Sequence, residues 1–173
     1  MLFRSTLNTD EYTVTLSAPM SGAGVLKKEG SGTLKVTGAG TSTGRHEIDG
    51  GTLLLSGNGA TLGTGGFNMK GAGAHLDIEP GEGNTITLAA DYLINSTSGN
   101  SSPVLNINAG TVENNCTGVS QYGQFGQSTV NINDGAEFKL NNPKQLGWNM
   151  FTALNVNSGG TLTIAAAQQL TRQ

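Results

Sequence analysis

One template recurs three times in the second half of the chain. Val104-Leu105-Asn106-Ile107-Asn108-Ala109-Gly110, Thr129-Val130-Asn131-Ile132-Asn133-Asp134-Gly135 and Ala153-Leu154-Asn155-Val156-Asn157-Ser158-Gly159 lie 24 or 25 residues apart. Each is a period-2 strand ending at an Asn-x-Gly corner, and each is followed by another strand: Thr111-Val112, Glu137-Phe138-Lys139-Leu140 or Thr161-Leu162-Thr163-Ile164. A repeat this short cannot bury an apolar face alone, so its copies must stack on one another. Alternation then points Leu105/Ile107, Val130/Ile132 and Leu154/Val156 inward and Asn106, Asn131 and Asn155 outward. Stacked parallel rungs about 4.8 Å apart let the apolar residues form ladders inside and the Asn amides hydrogen-bond up the rod. Leu76-Asp77-Ile78 to Leu88 is a fainter copy of the template.

The first half carries the same logic at a shorter period. Val25-Leu26-Lys27, Thr33-Leu34-Lys35-Val36, Glu47-Ile48 and Thr52-Leu53-Leu54-Leu55 are separated by one or two glycines, too dense a punctuation for a helix. Two Gly-Thr-Leu steps, Gly32-Thr33-Leu34 and Gly51-Thr52-Leu53, lie nineteen residues apart, about one three-sided coil of a β-solenoid. Leu34 and Leu53 are the expected core of these two coils.

Residues 24–53 also resemble the passenger-associated (autotransporter-associated) β-strand repeat of bacterial autotransporters. The spacing G-x-L-x-K-x-G-x-G-T-L is met by Gly24, Leu26, Lys28, Gly30, Gly32, Thr33 and Leu34. The family's next segment, Asn-Thr-Tyr-x-Gly-Gly-Thr-x-Val, corresponds to Gly40-Thr41-Ser42-Thr43-Gly44-Arg45-His46-Glu47-Ile48 and leads to the second Gly-Thr-Leu. Gly40, Ser42, Arg45 and His46 depart from the pattern at the outer turn and leave the strand positions intact. The resemblance covers about thirty residues and implies a right-handed parallel β-helix exported to a Gram-negative surface. On that implication the chain is a piece of a longer exported protein, lacking its signal and its barrel anchor.

Composition agrees with a rod. Gly, Thr, Asn and Ser supply 78 of 173 residues and aromatics only 5%, which disfavours a helical globule and calls for a thin, linear core. The expected architecture is all-β, a single solenoid over residues 1–173 of about seven to eight coils, with the family-like repeat at 24–53 and the Asn-rich array at 104–164. With 12% charged residues and recurring Leu, Ile and Val the chain is not of disordered type. A net charge of −3 without a basic stripe disfavours nucleic acid as a partner. No run approaches the roughly 18 apolar residues that would span a bilayer, so no direct membrane insertion of this segment is expected.

In chain order, Tyr12-Thr13-Val14-Thr15-Leu16 is the first expected rung, closed by Pro19. Ser56 to Thr64 reads as a corner, Phe67-Asn68-Met69-Lys70 and Ala74 to Ile78 as strands, Glu79 to Gly83 as a turn, and Asn84 to Leu88 as the returning strand. Asp91 to Pro103 reads as a polar loop. Two longer excursions, Glu113 to Ser128 and Asn141 to Phe151, interrupt the Asn-rich array. After Ile164 the chain lacks a polar amphipathic cap or a proline stop, and Leu2, Phe3 and the Tyr12 strand cap the front weakly. Open ladder edges of this kind predict end-to-end self-association or fraying over roughly the last coil.

Each candidate site has a plainer reading beside it. Asp77, Asp91, Asp134 and Glu137 are the acids a polysaccharide lyase or glycosidase would use, but they fall singly at corners rather than in a cluster with basic partners. No catalytic residue is therefore assigned. His46 and His75 have no metal-ligand spacing around them and read as surface side chains; no metal or cofactor is expected. The Gly-Gly-x-Gly-x-Asp calcium repeat is missing. Cys116 sits in a polar stretch without a neighbouring cation to activate it and can form no intrachain disulfide. Three N-x-S/T matches, at Asn95, Asn100 and Asn115, are those expected by chance in so Asn/Ser/Thr-rich a chain. Tyr122, Phe125 and Trp148, in the excursions, could stack on sugar rings or pack as lids on the solenoid flank.

Two functions fit. One is a non-catalytic, adhesin-like or structural passenger on the outer surface of a Gram-negative cell, touching host or bacterial surface glycans or proteins. The other is a polysaccharide-binding or polysaccharide-cleaving β-helix. The scattered acids favour the first.

Overall fold

The computed structural model describes residues 4–71, 73–90, 93–95, 102–117, 128–142 and 151–164. Every strand pairing among them is parallel. In chain order the strands are β1 (Arg4–Asn8), β2 (Thr13–Leu16), β3 (Val25–Glu29), β4 (Thr33–Val36), β5 (Ala39–Ser42), β6 (His46–Ile48), β7 (Thr52–Ser56), β8 (Thr61–Gly63) and β9 (Phe67–Met69). Then follow β10 (His75–Glu79), β11 (Thr85–Leu88), β12 (Ile94–Asn95), β13 (Val104–Ile107), β14 (Gly110–Asn114), β15 (Ser128–Ile132), β16 (Ala136–Leu140), β17 (Phe151–Val156) and β18 (Thr161–Ile164). The expected β-solenoid is the observed fold.

Three faces run along the rod. The first is β1-β3-β6-β9-β12, and the second, the only one followed from the first described coil to the last, is β2-β4-β7-β10-β13-β15-β17. The third begins as β5-β8 and continues as β11-β14-β16-β18. They make about six turns rather than seven to eight. The reason is coil length: Thr33 pairs with Thr52 nineteen residues on, whereas His75 pairs with Val104 twenty-nine residues on. Sequence reading also missed strands: β1 before the first expected rung, β5, β8 inside the Ser56–Thr64 corner, and β12 inside the polar loop.

Period-2 alternation builds the core as columns. On the second face one column runs Val14, Leu34, Leu53, Leu76, Leu105, Val130, Leu154, and its neighbour Leu16, Val36, Leu55, Ile78, Ile107, Ile132, Val156. On the third, Ile86, Val112, Phe138 and Leu162 stack in register. The expected ladder residues Leu34, Leu53, Leu105, Ile107, Val130 and Ile132 are buried. Leu154 is only half-buried and Val156 is 48% exposed, which corrects their assignment as core. They lie on the last described rung, where no described strand covers them. Cys116 is a second correction: it is fully buried in the cluster beneath the third face, not in a solvated stretch.

The corners need backbone that comes close to the coil below. At Gly51 φ is 59°, and a Cβ there would meet the Gly30 carbonyl oxygen at 2.6 Å and Ser31 at 2.7 Å. Glycine is thus imposed by both sterics and dihedral, and with it the Gly-Gly-Thr-Leu spelling of the step.

Candidate functional site

The residues singled out from sequence do not converge. Tyr122, Phe125 and Trp148, with Asp91 and most of the two excursions, lie outside the described residues. Asp77 points outward from β10 and accepts a hydrogen bond from Asn106 Nδ2 at 2.7 Å. Glu137, on the third face, accepts from Thr163 Oγ1 at 2.8 Å and lies 3.5 Å from Lys139 Nζ. Asp134 is exposed at the turn after β15. Asp77 and Glu137 therefore anchor side-chain ladders on two different faces. His75 is half-buried on the outer second face. Among the described residues no three His, Cys, Asp or Glu side chains are placed to hold a metal ion.

The polar constellation that sequence reading missed lies inside the first face. Leu7, Lys28, Ile48 and Met69 form one inward column, so Lys28 occupies a core position with 1% of its surface exposed. Its ammonium donates to Gly50 O at 2.8 Å, Gly30 O at 2.9 Å, Thr9 Oγ1 at 3.1 Å and, more weakly, Glu29 O at 3.3 Å. Thr9 Oγ1 in turn donates to Glu29 O at 3.1 Å. These oxygens belong to three successive coils, so one cation clips the corner together. Burial pushes the Lys28 pKa down, while an all-acceptor cage suits an ammonium with three N–H donors.

His46 is the second buried polar group on this face, which corrects its reading as a surface residue. Its Nδ1 accepts from the Leu26 backbone N–H at 3.1 Å, while Nε2 is buried without a hydrogen-bond partner. Desolvation lowers its pKa to about 4, so the ring is neutral at pH 7. The signal for both was present: Leu26-x-Lys28 and His46-x-Ile48 alternate in phase with the core.

The outer surface of the same face is ionic. Glu47 Oε1 meets Arg4 Nη2 and Lys70 Nζ, each at 2.9 Å, and these neighbours leave its side chain only 6% exposed. Lys27 Nζ lies 2.8 Å from Asp49 and 2.5 Å from Glu29. Hydrogen bonds that the Lys27 ammonium donates to Asp49 and then to Glu29 hold it well above its ordinary pKa.

The array half uses amides instead. Asn131 Nδ2 donates to Asn106 Oδ1 at 2.9 Å and Asn155 to Asn131 at 2.8 Å, on a ladder that starts at Asp77. A parallel ladder runs from Asn157 to Asn133 at 2.7 Å and from Asn133 to Asn108 at 2.8 Å. The outward amides thus pair along the rod as expected, each donating to the coil before it. These groups are spent on one another, which makes the second face a stiff polar surface. No protein-family model, curated protein sequence or solved structure matches this chain.

Proposed function

We propose that the chain is a non-catalytic, surface-exposed scaffold, a structural or adhesin-like passenger segment of a bacterial autotransporter. The observation that carries this reading is how the outward polar groups are used. Asp77, Glu137 and the ladder asparagines pair with neighbouring coils rather than facing each other across a cleft, as acid–base chemistry requires. A parallel solenoid also suits export, because its coils nucleate locally and propagate by nearest-neighbour stacking. The resemblance of residues 24–53 to the passenger-associated repeat supplies the bacterial outer surface as the setting. In that setting the rod presents its corners and excursions to surface glycans or proteins.

Protease treatment of intact cells of the source organism tests the location. Release of fragments from this chain, with a cytoplasmic marker intact, is the expected outcome; recognition of the chain only after lysis would sink the proposal. A glycan-panel assay tests the chemistry. Turnover abolished by Asp134→Asn would replace the scaffold with the polysaccharide-cleaving alternative.

A further inference from the structure

The first face carries a buried group that its neighbours can hold in only one protonation state. We propose that His46 is an acid-sensitive latch between two successive coils: in an acidic medium it takes up a proton, and β3 and β6 open locally while the asparagine-laddered half stays closed. The ring is 2% exposed. Its Nδ1 accepts from the Leu26 N–H at 3.1 Å, so the neutral ring carries its own proton on Nε2, which is buried without a hydrogen-bond partner. A second proton can go only to Nδ1, where it would face the Leu26 N–H donor to donor. Neither ring nitrogen would then have an acceptor, and a desolvated cation without one favours the open arrangement, in which water solvates it.

The latch spans a short pairing. The register of β3 with β6 covers only Lys27 with Glu47 and Lys28 with Ile48, so the bond from Leu26 to His46 is one of few across it. No group inside the rod can offset the new charge. From β3 the inward charged side chain is Lys28, itself a cation, while Lys27 and Glu29 point outward and pair with each other. On β6 the outward Glu47 is taken by Arg4 and Lys70, and the outward Asp49 by Lys27. Arg45, at the corner before β6, and Lys70, after β9, add only positive charge. From β9 the ring meets Phe67, its centroid 6.3 Å away, and the second and third faces turn Leu34, Leu53 and Leu62 inward. Among the described residues the one buried acid is Glu47, on the outer side of the sheet.

The closed ring resists protonation down to a pKa of about 4, because burial disfavours the cation, and an opened ring returns to the ordinary 6.5. Falling pH therefore favours the open form, and between pH 7.5 and 5 the opening equilibrium rises about 30-fold. In a solenoid each coil touches only its neighbours, so opening stays close to β3 and β6. Residues 104–164 contain no histidine, and their ladders are built mostly of neutral amides. The latch adds regulation to the surface-scaffold reading and rests on it for its setting, a rod that loosens one half when its surroundings turn acidic, while its chemistry stands on His46 alone.

The test is amide hydrogen exchange of the 173-residue chain at pH 7.5 and pH 5, read by NMR and corrected for the intrinsic pH dependence of exchange. Opening at the Leu26 and Asp49 amides, which bond across the two coils, should rise about 30-fold on acidification, and at Thr129 and Asn133 less than about threefold. His46→Gln, which accepts from the Leu26 N–H and takes up no proton, should hold the first rise below about threefold, whereas His75→Gln should leave it as in the parent. No rise in the parent, an equal rise in both halves, a rise that survives His46→Gln or one that His75→Gln abolishes would each overturn the latch. If His46→Gln does not fold, the ring nitrogens of the parent decide. Proton uptake at Nδ1 in step with loss of Leu26 protection supports the latch, and a protonated ring with the Leu26 amide still protected overturns it. Exchange on the purified chain judges the latch and protease treatment of cells judges the location, so either can fail alone.

Discussion

The two halves of the rod solve one problem by different means. Every parallel coil must tie its polar corners and outer side chains to the next coil. From β1 to β9 this is done with charge: the buried Lys28 clip inside, and the Arg4–Glu47–Lys70 and Lys27–Asp49 contacts outside. From β10 to β18 it is done mostly with neutral amides, in two ladders. An amide carries both donor and acceptor, so an Asn ladder extends indefinitely by repeating one residue. A buried ammonium only donates, so it needs a cage of acceptors and can occur once per corner.

Removing the clip should have the largest effect. Lys28→Ala should cost about 2–5 kcal/mol in urea unfolding, because it opens a cavity in the Leu7–Ile48–Met69 column and strips the donor from inward carbonyls. Lys28→Met fills the column and should cost less. If Lys28→Ala melts within about 0.5 kcal/mol of the parent, charge does not hold this half together.

Acid should separate the halves next. The folded His46 pKa of about 4 lies below the ordinary 6.5, so the unfolded chain takes up a proton that the folded chain refuses. Stability is therefore complete above about pH 6.5 and is lost as pH falls toward 4, by about 3 kcal/mol in all. His46→Gln, which keeps an acceptor for Leu26 N–H, should flatten the melting curve between pH 6.5 and 5. An unchanged slope in that variant would place the proton uptake elsewhere.

Ladder substitutions should be milder and graded by position. Asn131→Ala breaks one bond to Asn106 and one from Asn155, and should cost about 1–2 kcal/mol; Asn155→Ala, on the exposed last rung, should cost about 0.5. Equal costs would mean that the ladder does not act bond by bond. The smallest effect is expected at Lys139, whose contacts to Glu137 at 3.5 Å and Glu113 at 3.7 Å are solvated: Lys139→Gln should change stability by less than about 0.5 kcal/mol, with little further change in high salt. A larger loss would show that the array half also depends on ion pairs.

Most of the rod could be read from the chain itself, because its constraints are local and repeated. The Gly-Thr-Leu steps place Leu34 over Leu53, and the Asn template sets the Leu105–Val130 column and the outward amides, since a period-2 strand has only two faces and a fixed repeat aligns them. Short strands with weak alternation, β5, β8 and β12, escaped because pairing to neighbouring coils, and not their own composition, makes them strands. Only the tertiary structure decided how the polar residues in core phase are satisfied inside. Lys28 and His46 carry hydrophilic side chains in core phase, and nothing along the chain announces that Thr9, Gly30 and Gly50 will supply oxygens from three coils. The exposed last rung was equally invisible: Val156 is spelled as core, and its burial depends on whether another coil stacks above it. Tyr12 shows the converse, since alternation assigns it to a strand while it lies in the turn before β2, held by Ser31 and Thr33 of the following coil. Alternation specifies a face; contacts between coils distant in sequence determine what that face meets.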